Sequence, residues 1–369
     1  MASITNLTRE QTLILTLING DEKAILESRG KLEDGVNWEW MLKFSANNMI
    51  VPILYQRLKG CESKDVSGHV IQKLRVQTAY TSMKNILIEK DVRTVLTALN
   101  EKKLDVILLK GLMLQEKVYA NNIVRQMADV DLLIREGDLD KVENVLYKNG
   151  FTFDTNTLDI GRTSREACLK NGDRDFPYIK KSTGTKIELR WHFLEQYDPF
   201  KIKMEEIWRR AEKTRICGTD TLILSPEDLV IYQCLHLSYK HIYYSTPFRG
   251  LMDVSESVKR YSKELDWNRL AKTCKEWEVA SFVYHPLKLA KELMNAPVPD
   301  ETLNFLEKNS SKIQLISQEY IAKRNLFKTE SSYRMDSILY VSLRLLWTDN
   351  IHDKFRIIKR VVPKMFRDV

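Results

Sequence analysis

Two short apolar runs with strand character interrupt a sequence whose hydrophobic spacing is otherwise helical. Residues 106–109 form a nearly continuous apolar run that ends at Lys110-Gly111, a pattern typical of a strand buried on both faces. Residues 127–134 alternate at first and then become apolar, which predicts a second strand. Residues 112–120, between these runs, have helical spacing. Because strands of this kind need helices to cover them, the sequence predicts an α+β fold.

Helical patterns on both sides of this section divide the chain into three parts. Near the start, Thr8 and Asn37 are the predicted N-caps of helices whose apolar residues recur every three or four positions. After the section, Ser225 as a cap and Pro226 at the first helical position predict another helix start. We therefore predict a helical region at 1–100, an α/β section at 101–225 and a C-terminal helical domain at 226–369.

The α/β section contains signals for further elements. A helix is predicted at 137–150, where the closing glycine suits a left-handed C-terminal position. Two phenylalanines at 151–153 indicate a short strand. A hairpin is predicted with strands at 175–180 and 186–193, joined by a Ser-Thr-Gly-Thr turn. Residues 222–224 are predicted to form an edge strand.

Composition places the chain among ordinary globular proteins with a basic balance. The 369 residues include 58 Lys and Arg against 50 Asp and Glu, which gives a formal net charge of +8. Part of the excess lies in residues 351–369, where basic side chains alternate with apolar ones. This tail is predicted to be a solvated basic segment, to contact an anionic membrane surface, or to pack on the core as a terminal helix.

Cysteine usage and the N-terminal sequence predict a cytoplasmic location. The five cysteines are dispersed without a Cys-x-x-Cys spacing, as is typical of reduced thiols in the cytoplasm. The first residues lack the charged and apolar regions of a signal peptide, and no transmembrane segment is expected.

A pair of aspartates marks the candidate metal site. Side chains alternate along a strand, so Asp129 and Asp131 should point to one face while Val130 points to the other. Two carboxylates this close repel each other, and a divalent cation relieves the repulsion. Glu188, between apolar neighbours on the second hairpin strand, needs a metal ion or another cation as a partner.

Basic residues and a glycine turn precede the aspartates. Gly111, at a turn between a strand and a helix, would let a phosphate group approach backbone N–H groups at the helix N-terminus. Lys110 and Arg125 bring positive charge to the same end. The order of these features is the one that two-metal phosphoryl transfer needs.

These residues resemble the bacterial family of uncharacterised nucleotidyltransferases within the polymerase-β-like superfamily, over residues 85–290. The first block of the resemblance is Leu109-Lys110-Gly111, Tyr119, Arg125, Asp129-Val130-Asp131-Leu132-Leu133-Ile134, Leu146 and Gly150-Phe151. The second block is Ile187-Glu188-Leu189-Arg190-Trp191-His192. The third block runs from Leu235-His236-Leu237 to Lys240-His241 and includes Arg249 and Asp253.

The resemblance implies a polymerase-β-like nucleotidyltransferase core with a small mixed sheet, flanked by N- and C-terminal helical regions. It implies transfer of a nucleoside monophosphate from an NTP such as ATP, with Mg²⁺ or Mn²⁺ as the metal. The implied catalytic residues and metal ligands are Asp129, Asp131 and Glu188. The implied nucleotide-binding residues are Lys110, Gly111, Arg125, His236 and Lys240.

Two spacings in the third block carry expectations of their own. His236 and His241 are five residues apart, so they should not share one face of a regular helix as metal ligands four apart would. Arg249 and Asp253 are four apart and are expected to form an ion pair within one helix.

The acceptor of the nucleotide stays open, and so do two alternatives to the enzyme hypothesis. The expected acceptor is a hydroxyl or phosphate of a small molecule, a natural product or a protein. An RNA end-modifying enzyme is one alternative, although the mild charge and the lack of an interleaved basic and aromatic stripe make nucleic acid an unlikely partner. The other is a non-catalytic nucleotide-binding or interaction protein on a degenerate domain. The intact Asp129, Asp131 and Glu188 argue against this alternative, and Leu112 after Gly111, where the superfamily usually has serine, keeps it open.

Overall fold

The computed structural model of the chain combines helices with a mixed β-sheet, as the α+β prediction requires. It describes residues 7–20, 35–59, 66–119, 125–155, 164–196, 198–329, 337–348, 350–355 and 357–358. Within this part of the chain, helices precede and follow the sheet in the predicted order. The predicted α+β fold is therefore confirmed.

Helices occupy the chain before the sheet. In the described residues they are α1 (Arg9–Asn19), α2 (Trp38–Asn47), α3 (Val51–Leu58) and α4 (Gly68–Glu101). Thr8 caps α1 through a capping box, in which its hydroxyl accepts from the N–H of Gln11 and its own N–H donates to the Gln11 side chain. Asn37 caps α2 by accepting from the N–H of Trp40. Both predicted caps are confirmed.

A mixed sheet forms the centre of the α/β section. Its strands are β1 (Ile107–Leu108), β2 (Val130–Leu133), β3 (Thr152–Phe153), β4 (Asp175–Lys180), β5 (Thr185–Arg190), β6 (Glu212–Ile216) and β7 (Thr219–Ile223). Their order across the sheet is β3-β4-β5-β2-β1-β7-β6. Strand β2 lies between the antiparallel β1 and the parallel β5, and its residues are all buried. This central position explains the apolar sequence of both β1 and β2.

Short helices connect the strands. The α-helices among them, in the described residues, are α5 (Leu139–Lys148), α6 (Arg165–Asn171) and α7 (Met204–Arg210), and Leu114–Val118 forms a π-helical turn between β1 and β2. The helix predicted at 137–150 is α5, preceded by a single 3₁₀ turn at Glu136–Asp138. It ends before Gly150, whose φ of +81° is the left-handed conformation that glycine adopts without strain.

The strand predicted at the edge, 222–224, is an interior strand instead. Strand β7 pairs in parallel with β1 and antiparallel with β6. The edge position belongs to β6, in which Glu212, Lys213 and Arg215 are exposed. An apolar pattern cannot identify such a strand, because charged side chains are what protects an exposed sheet edge.

The predicted hairpin is present as β4 and β5. Its pairing runs from Asp175 opposite Arg190 to Lys180 opposite Thr185. The second strand was predicted to reach residue 193 but ends at Arg190. Past that point the backbone bends, so Arg190 occupies the last position of a strand that also pairs with β2.

Seven α-helices follow the sheet between Pro226 and Leu346 in the described residues. They are α8 (Pro226–Leu235), α9 (Pro247–Arg260), α10 (Trp267–Glu276), α11 (Ala280–Met294), α12 (Asp300–Lys308), α13 (Lys312–Asn325) and α14 (Ser337–Leu346). The Ser225 side chain accepts from the N–H of Asp228, and Pro226 stands in the first turn of α8. The predicted start of this helix is confirmed.

The N-terminal helices pack directly on the C-terminal ones. The ring of Phe44 on α2 lies 5.1 Å from that of Phe248 on α9 and 6.0 Å from that of Phe327, measured between centroids. The side-chain oxygen of Asn48 accepts from the N–H of Phe248 at 3.1 Å. These aromatic contacts join both helical regions beside the sheet.

Predictions about location and the tail remain predictions. Within the described residues, no helix is long and apolar enough to cross a bilayer. Cys217, Cys234 and Cys274 are buried free thiols and Cys168 is also buried, while Cys61 lies outside the described residues. Residues 359–369 of the basic tail also lie outside the described residues, and so does Ala120, the last residue of the helix predicted at 112–120.

A buried histidine makes the stability of the C-terminal helices depend on pH. His285 on α11 is buried, with Nδ1 2.8 Å from the hydroxyl oxygen of Tyr243. Burial lowers the pKa of His285 from 6.5 to about 3, so between these values the unfolded chain binds a proton that the folded chain does not. The free energy of unfolding should therefore fall below about pH 6.5, by up to about 1.4 kcal/mol per pH unit from this group.

The variant His285→Gln, which keeps an acceptor for Tyr243, should remove this contribution. Urea unfolding of both proteins between about pH 5 and pH 7 measures the two slopes of free energy against pH. Equal slopes would contradict the assignment to His285.

Candidate active site

Asp131 is fully buried on β2, at the centre of the predicted site. The alternation of the strand turns Val130 and Leu132 to the other face of the sheet. In the parallel pairing of β2 with β5, Asp131 stands beside Glu188, so both side chains leave the same face. Asp129 precedes the strand by one residue and is partly exposed. The structure thus places Asp131 and Glu188 side by side, with Asp129 at the rim.

Arg190 joins three carboxylates on this face. Its Nε lies 2.8 Å from Oδ1 of Asp131 and its Nη1 lies 3.1 Å from Oδ2 of Asp175, while Nη2 contacts Oε2 of Glu188. Arg190 shares the face because it follows Glu188 by two positions on β5 and stands opposite Asp175 in the hairpin. The cation that Glu188 was expected to need is therefore a side chain of the same strand.

The two neighbouring carboxylates differ in their affinity for protons. Burial raises the pKa of Glu188, against the lowering effect of Arg190. Burial would also raise the pKa of Asp131, but Lys110 and Arg190 together hold it below its ordinary value. Asp131 is therefore ionised, while Glu188 binds a proton more readily than an exposed glutamate does.

The turn after β1 brings a lysine against Asp131. Nζ of Lys110 lies 3.1 Å from Oδ2 of Asp131 and donates to Nε2 of His236 at 2.9 Å. Gly111 follows with a φ of +68°, and a Cβ at that position would lie only 3.2 Å from the backbone oxygen of Asp129. The turn can approach the start of β2 this closely because residue 111 has no side chain.

Two histidines meet at the site through a wide helical turn. Residues His236–Lys240 form a π-helical turn, closed by a hydrogen bond of 3.0 Å from the N–H of His241 to the carbonyl oxygen of His236. Because this turn joins residues five apart, it brings the Nε2 atoms of the two histidines to within 3.2 Å of each other. The expectation that the spacing separates them was wrong, since it assumed α-helical geometry. Burial, followed by the charge of Lys110, lowers the pKa of both imidazoles well below 6.5 and keeps them neutral.

Lys240, at the end of the same turn, contacts the carboxylate group from the hairpin side. Its Nζ lies 2.6 Å from Oδ2 of Asp175, the oxygen that Arg190 also contacts. Arg190 and Asp175 were not predicted as site residues. Strand alternation from Glu188 gives the face of Arg190, and hairpin pairing gives the position of Asp175. The structure brings together the predicted residues Asp131, Glu188, Lys110, Gly111, His236 and Lys240 with the additional residues Arg190, Asp175 and His241.

Arg125 has a partner inside the fold, and its expected contact with phosphate stays a prediction. Its Nε and Nη2 lie 2.8 and 2.6 Å from the two carboxylate oxygens of Asp253, and the Tyr119 hydroxyl donates to the same carboxylate at 2.8 Å. Arg125 is only 3% exposed, so the guanidinium is enclosed with this partner. The pair expected between Arg249 and Asp253 is replaced, and Arg249 donates to the backbone oxygen of Gln126 at 3.3 Å.

Asp129 and Asp131 offer oxygens that suit a divalent ion. Oδ2 of Asp131 is buried and accepts no hydrogen bond from the described residues, although Lys110 lies near it. In this part of the chain, no group of three or more His, Cys, Asp or Glu side chains is arranged to hold an ion alone. Mg²⁺ is usually bound by one or two carboxylates together with substrate phosphates, so the pair fits an ion that arrives with a nucleotide.

The close approach at Gly111 leads to a prediction with a matched control. Gly111 and Gly184 both have left-handed backbones, with φ of +68° and +73°, where alanine costs about 1–2 kcal/mol. A Cβ would meet the backbone of Asp129 at the first position and nothing within 4 Å at the second. Both alanine variants should lose stability in urea unfolding, Gly111→Ala by more, but only Gly111→Ala should lose nucleotide transfer, by about tenfold or more. Equal transfer rates in the two variants would contradict this role for the turn.

Comparison with known families agrees with this arrangement. A family model described as "Uncharacterised nucleotidyltransferase" matches residues 34–295, a range that includes α2 to α11. No curated protein and no solved structure gives a significant match. The matched region covers well over half of the chain. It contains the whole sheet, the glycine turn at Gly111 and the π-helical turn at His236–Lys240. The chain therefore belongs to the uncharacterised nucleotidyltransferase family.

Proposed function

We propose that this protein transfers a nucleoside monophosphate from an NTP to an acceptor group and releases pyrophosphate, in a metal-dependent reaction. The observation that supports this most is the buried Asp131, held beside Lys110 at the glycine turn with Asp129 two residues away. An ionised carboxylate, a cation and a close backbone approach are the elements that bind a metal-bound triphosphate. Family membership gives nucleotidyl transfer as the general class.

The phosphate groups would lie between the aspartates and the basic side chains. Asp129 and Asp131 would hold Mg²⁺ or Mn²⁺, which neutralises charge on the phosphates and on the departing pyrophosphate. Lys110, whose Nζ is 3.1 Å from Asp131, supplies positive charge at the same place, and Gly111 gives phosphate access to the backbone. The neutral His236 can form a hydrogen bond without adding charge.

Glu188 would act on the acceptor side. Its pKa is raised by burial, which makes it a stronger base than an exposed glutamate. In this role it takes the proton of an acceptor hydroxyl as the new phosphate ester forms. The acceptor is a hydroxyl or phosphate of a small molecule, a natural product or a protein.

Transfer of label from the α-phosphate of an NTP tests the proposal. Each of the four NTPs is incubated with the protein and Mg²⁺ or Mn²⁺, and wild type is compared with Asp129→Ala/Asp131→Ala. The matched control is Asp138→Ala/Asp140→Ala, which removes another Asp-x-Asp pair from the start of α5. We expect metal-dependent nucleotide binding in the wild type and in the control, and its loss in the first double variant.

The outcomes separate the proposal from its alternatives. Label on the protein itself would indicate a protein hydroxyl as acceptor, and label on added RNA would favour an RNA end-modifying enzyme. Nucleotide binding that needs no metal and is equal in all three proteins would support a non-catalytic binding protein. No binding in any of them would overturn the proposed function.

A further inference from the structure

Arg190 fills the space between the carboxylates of the site. Each of its three guanidinium nitrogens contacts a different carboxylate, those of Asp131, Asp175 and Glu188. The side chain is only 4% exposed, so the contacts are enclosed by the fold. Its position is fixed by the sheet, because Arg190 ends β5 directly beside β2.

This position is the one that a second divalent ion would need. In a two-metal site the ions lie about 3.5–4 Å apart, close enough to share carboxylate ligands. Arg190 contacts Oδ1 of Asp131 and Oε2 of Glu188, so an ion that bridged these two oxygens would have to displace its guanidinium. Arg190 does not contact Oδ2 of Asp131, which lies on the Lys110 side, 3.1 Å from its Nζ. Asp129 and Asp131 therefore fit one ion, whereas Glu188 does not fit as the ligand of another.

The guanidinium can also replace the charge of that ion. Glu188 and Asp131 are neighbours across two strands and would repel each other without a cation between them. Arginine stays charged at every physiological pH and binds several carboxylate oxygens in a fixed planar geometry. Lys240 adds a second positive charge on the Asp175 side. The acidic face is thus already neutralised by side chains where a second ion would be placed.

We infer that this protein uses a single divalent ion, held by Asp129 and Asp131 with the nucleotide, and that Arg190 takes the place of the second ion. The inference rests on the proposed function, since it concerns the same site. Glu188 is then a partner of Arg190 and of the acceptor, and is not a metal ligand. Arg190 acts as a positioning residue through these carboxylates.

Counting bound Mn²⁺ tests the inference without measuring activity. The full-length protein is saturated with an equimolar mixture of the α,β-methylene analogues of ATP, GTP, CTP and UTP and titrated with Mn²⁺. Electron paramagnetic resonance measures the concentration of free Mn²⁺, and the difference from the total gives the bound Mn²⁺. Subtracting the Mn²⁺ bound by the nucleotide alone gives the number of ions bound per protein. We expect the wild type to retain one ion per site and Arg190→Gln, which opens the position, to retain two.

Two further variants separate position from charge. Lys240→Gln removes the same charge next to Asp175 but leaves the space between Asp131 and Glu188 filled, so it should retain one ion. Arg190→Lys keeps a cation at the position and should also retain one. Equal counts in Arg190→Gln and Lys240→Gln would show that Arg190 does not block a metal position, and would overturn the inference.

The wild-type count decides the question even if Arg190→Gln fails to fold. Two ions per site in the wild type, both lost in Asp129→Ala/Asp131→Ala, would overturn the inference and leave the proposed function intact. One ion in the wild type, lost in the same double variant, supports both. No nucleotide-dependent Mn²⁺ binding would overturn the proposed function itself.

Discussion

Replacement of Asp131 by asparagine is expected to lower the rate of nucleotide transfer about 10³-fold. Asp131 lies within 3.1 Å of Lys110 and 2.8 Å of Arg190, and in the proposed reaction it also binds the divalent ion. A catalytic metal ion contributes several kcal/mol to the transition state, and each 1.4 kcal/mol or so changes the rate tenfold, which gives about 10³-fold for loss of a charged ligand. The measurement is the initial rate of label transfer at saturating NTP and Mn²⁺.

Asp91→Asn is the control that separates chemistry from stability. Asp91 on α4 is also buried, and its carboxylate accepts from Lys180 at 2.7 Å and from Thr185 at 2.6 Å, on β4 and β5. The same substitution should therefore weaken the fold by a comparable amount while leaving transfer close to the wild-type rate. If Asp131→Asn kept most of the transfer rate, or if both variants lost it equally, Asp131 would not be at the reacting centre.

The centre of this site could be predicted because it follows from strand geometry. Alternation along a strand determines which side chains share a face, and Asp131 and Glu188 lie on strands whose apolar neighbours identify them. The same rule extends from Glu188 to Arg190, two positions further along β5. That step needs only the strand and its pairing. The sequence therefore contained the information that places Arg190 in the site, although Arg190 was not predicted there.

In other parts of the site, a local sequence pattern does not determine the helix type or the partner of a charged side chain. The sequence from His236 to His241 suits an α-helix or a π-helical turn, and only the second brings the two imidazoles together. Arg125 and Asp253 are far apart in the chain, and their pairing depends on how α9 packs beside the segment before β2. Such long-range contacts are decided by the packing of the whole fold, which is why the expected pair of Arg249 with Asp253 was wrong.

Removal of the Asp253 carboxylate is expected to cost about 3–5 kcal/mol of unfolding free energy. Asp253→Ala leaves the buried guanidinium of Arg125 without its partner, and an uncompensated buried charge has a cost of about that size. The control variant is Glu264→Ala, which breaks an exposed ion pair. In this pair the nitrogen–oxygen distance between Arg260 and Glu264 is 3.4 Å. That change should cost no more than about 0.5 kcal/mol in the same denaturant titration. Similar losses in both variants would contradict the burial of the Arg125 pair.

Replacing the whole buried group decides whether Arg125 serves the fold or the nucleotide. Arg125→Met with Asp253→Leu and Tyr119→Phe leaves no polar group of this cluster unpaired, so it should recover most of the stability lost in Asp253→Ala. The backbone at Arg125 would stay in place, since its N–H donates to Gln115 at 2.6 Å and its carbonyl oxygen accepts from Asn85 at 2.9 Å. The start of β2 is therefore held without the guanidinium, and we expect the triple variant to bind nucleotide as the wild type does. A folded triple variant that had lost nucleotide binding would return Arg125 to the phosphate-binding role that the sequence suggested.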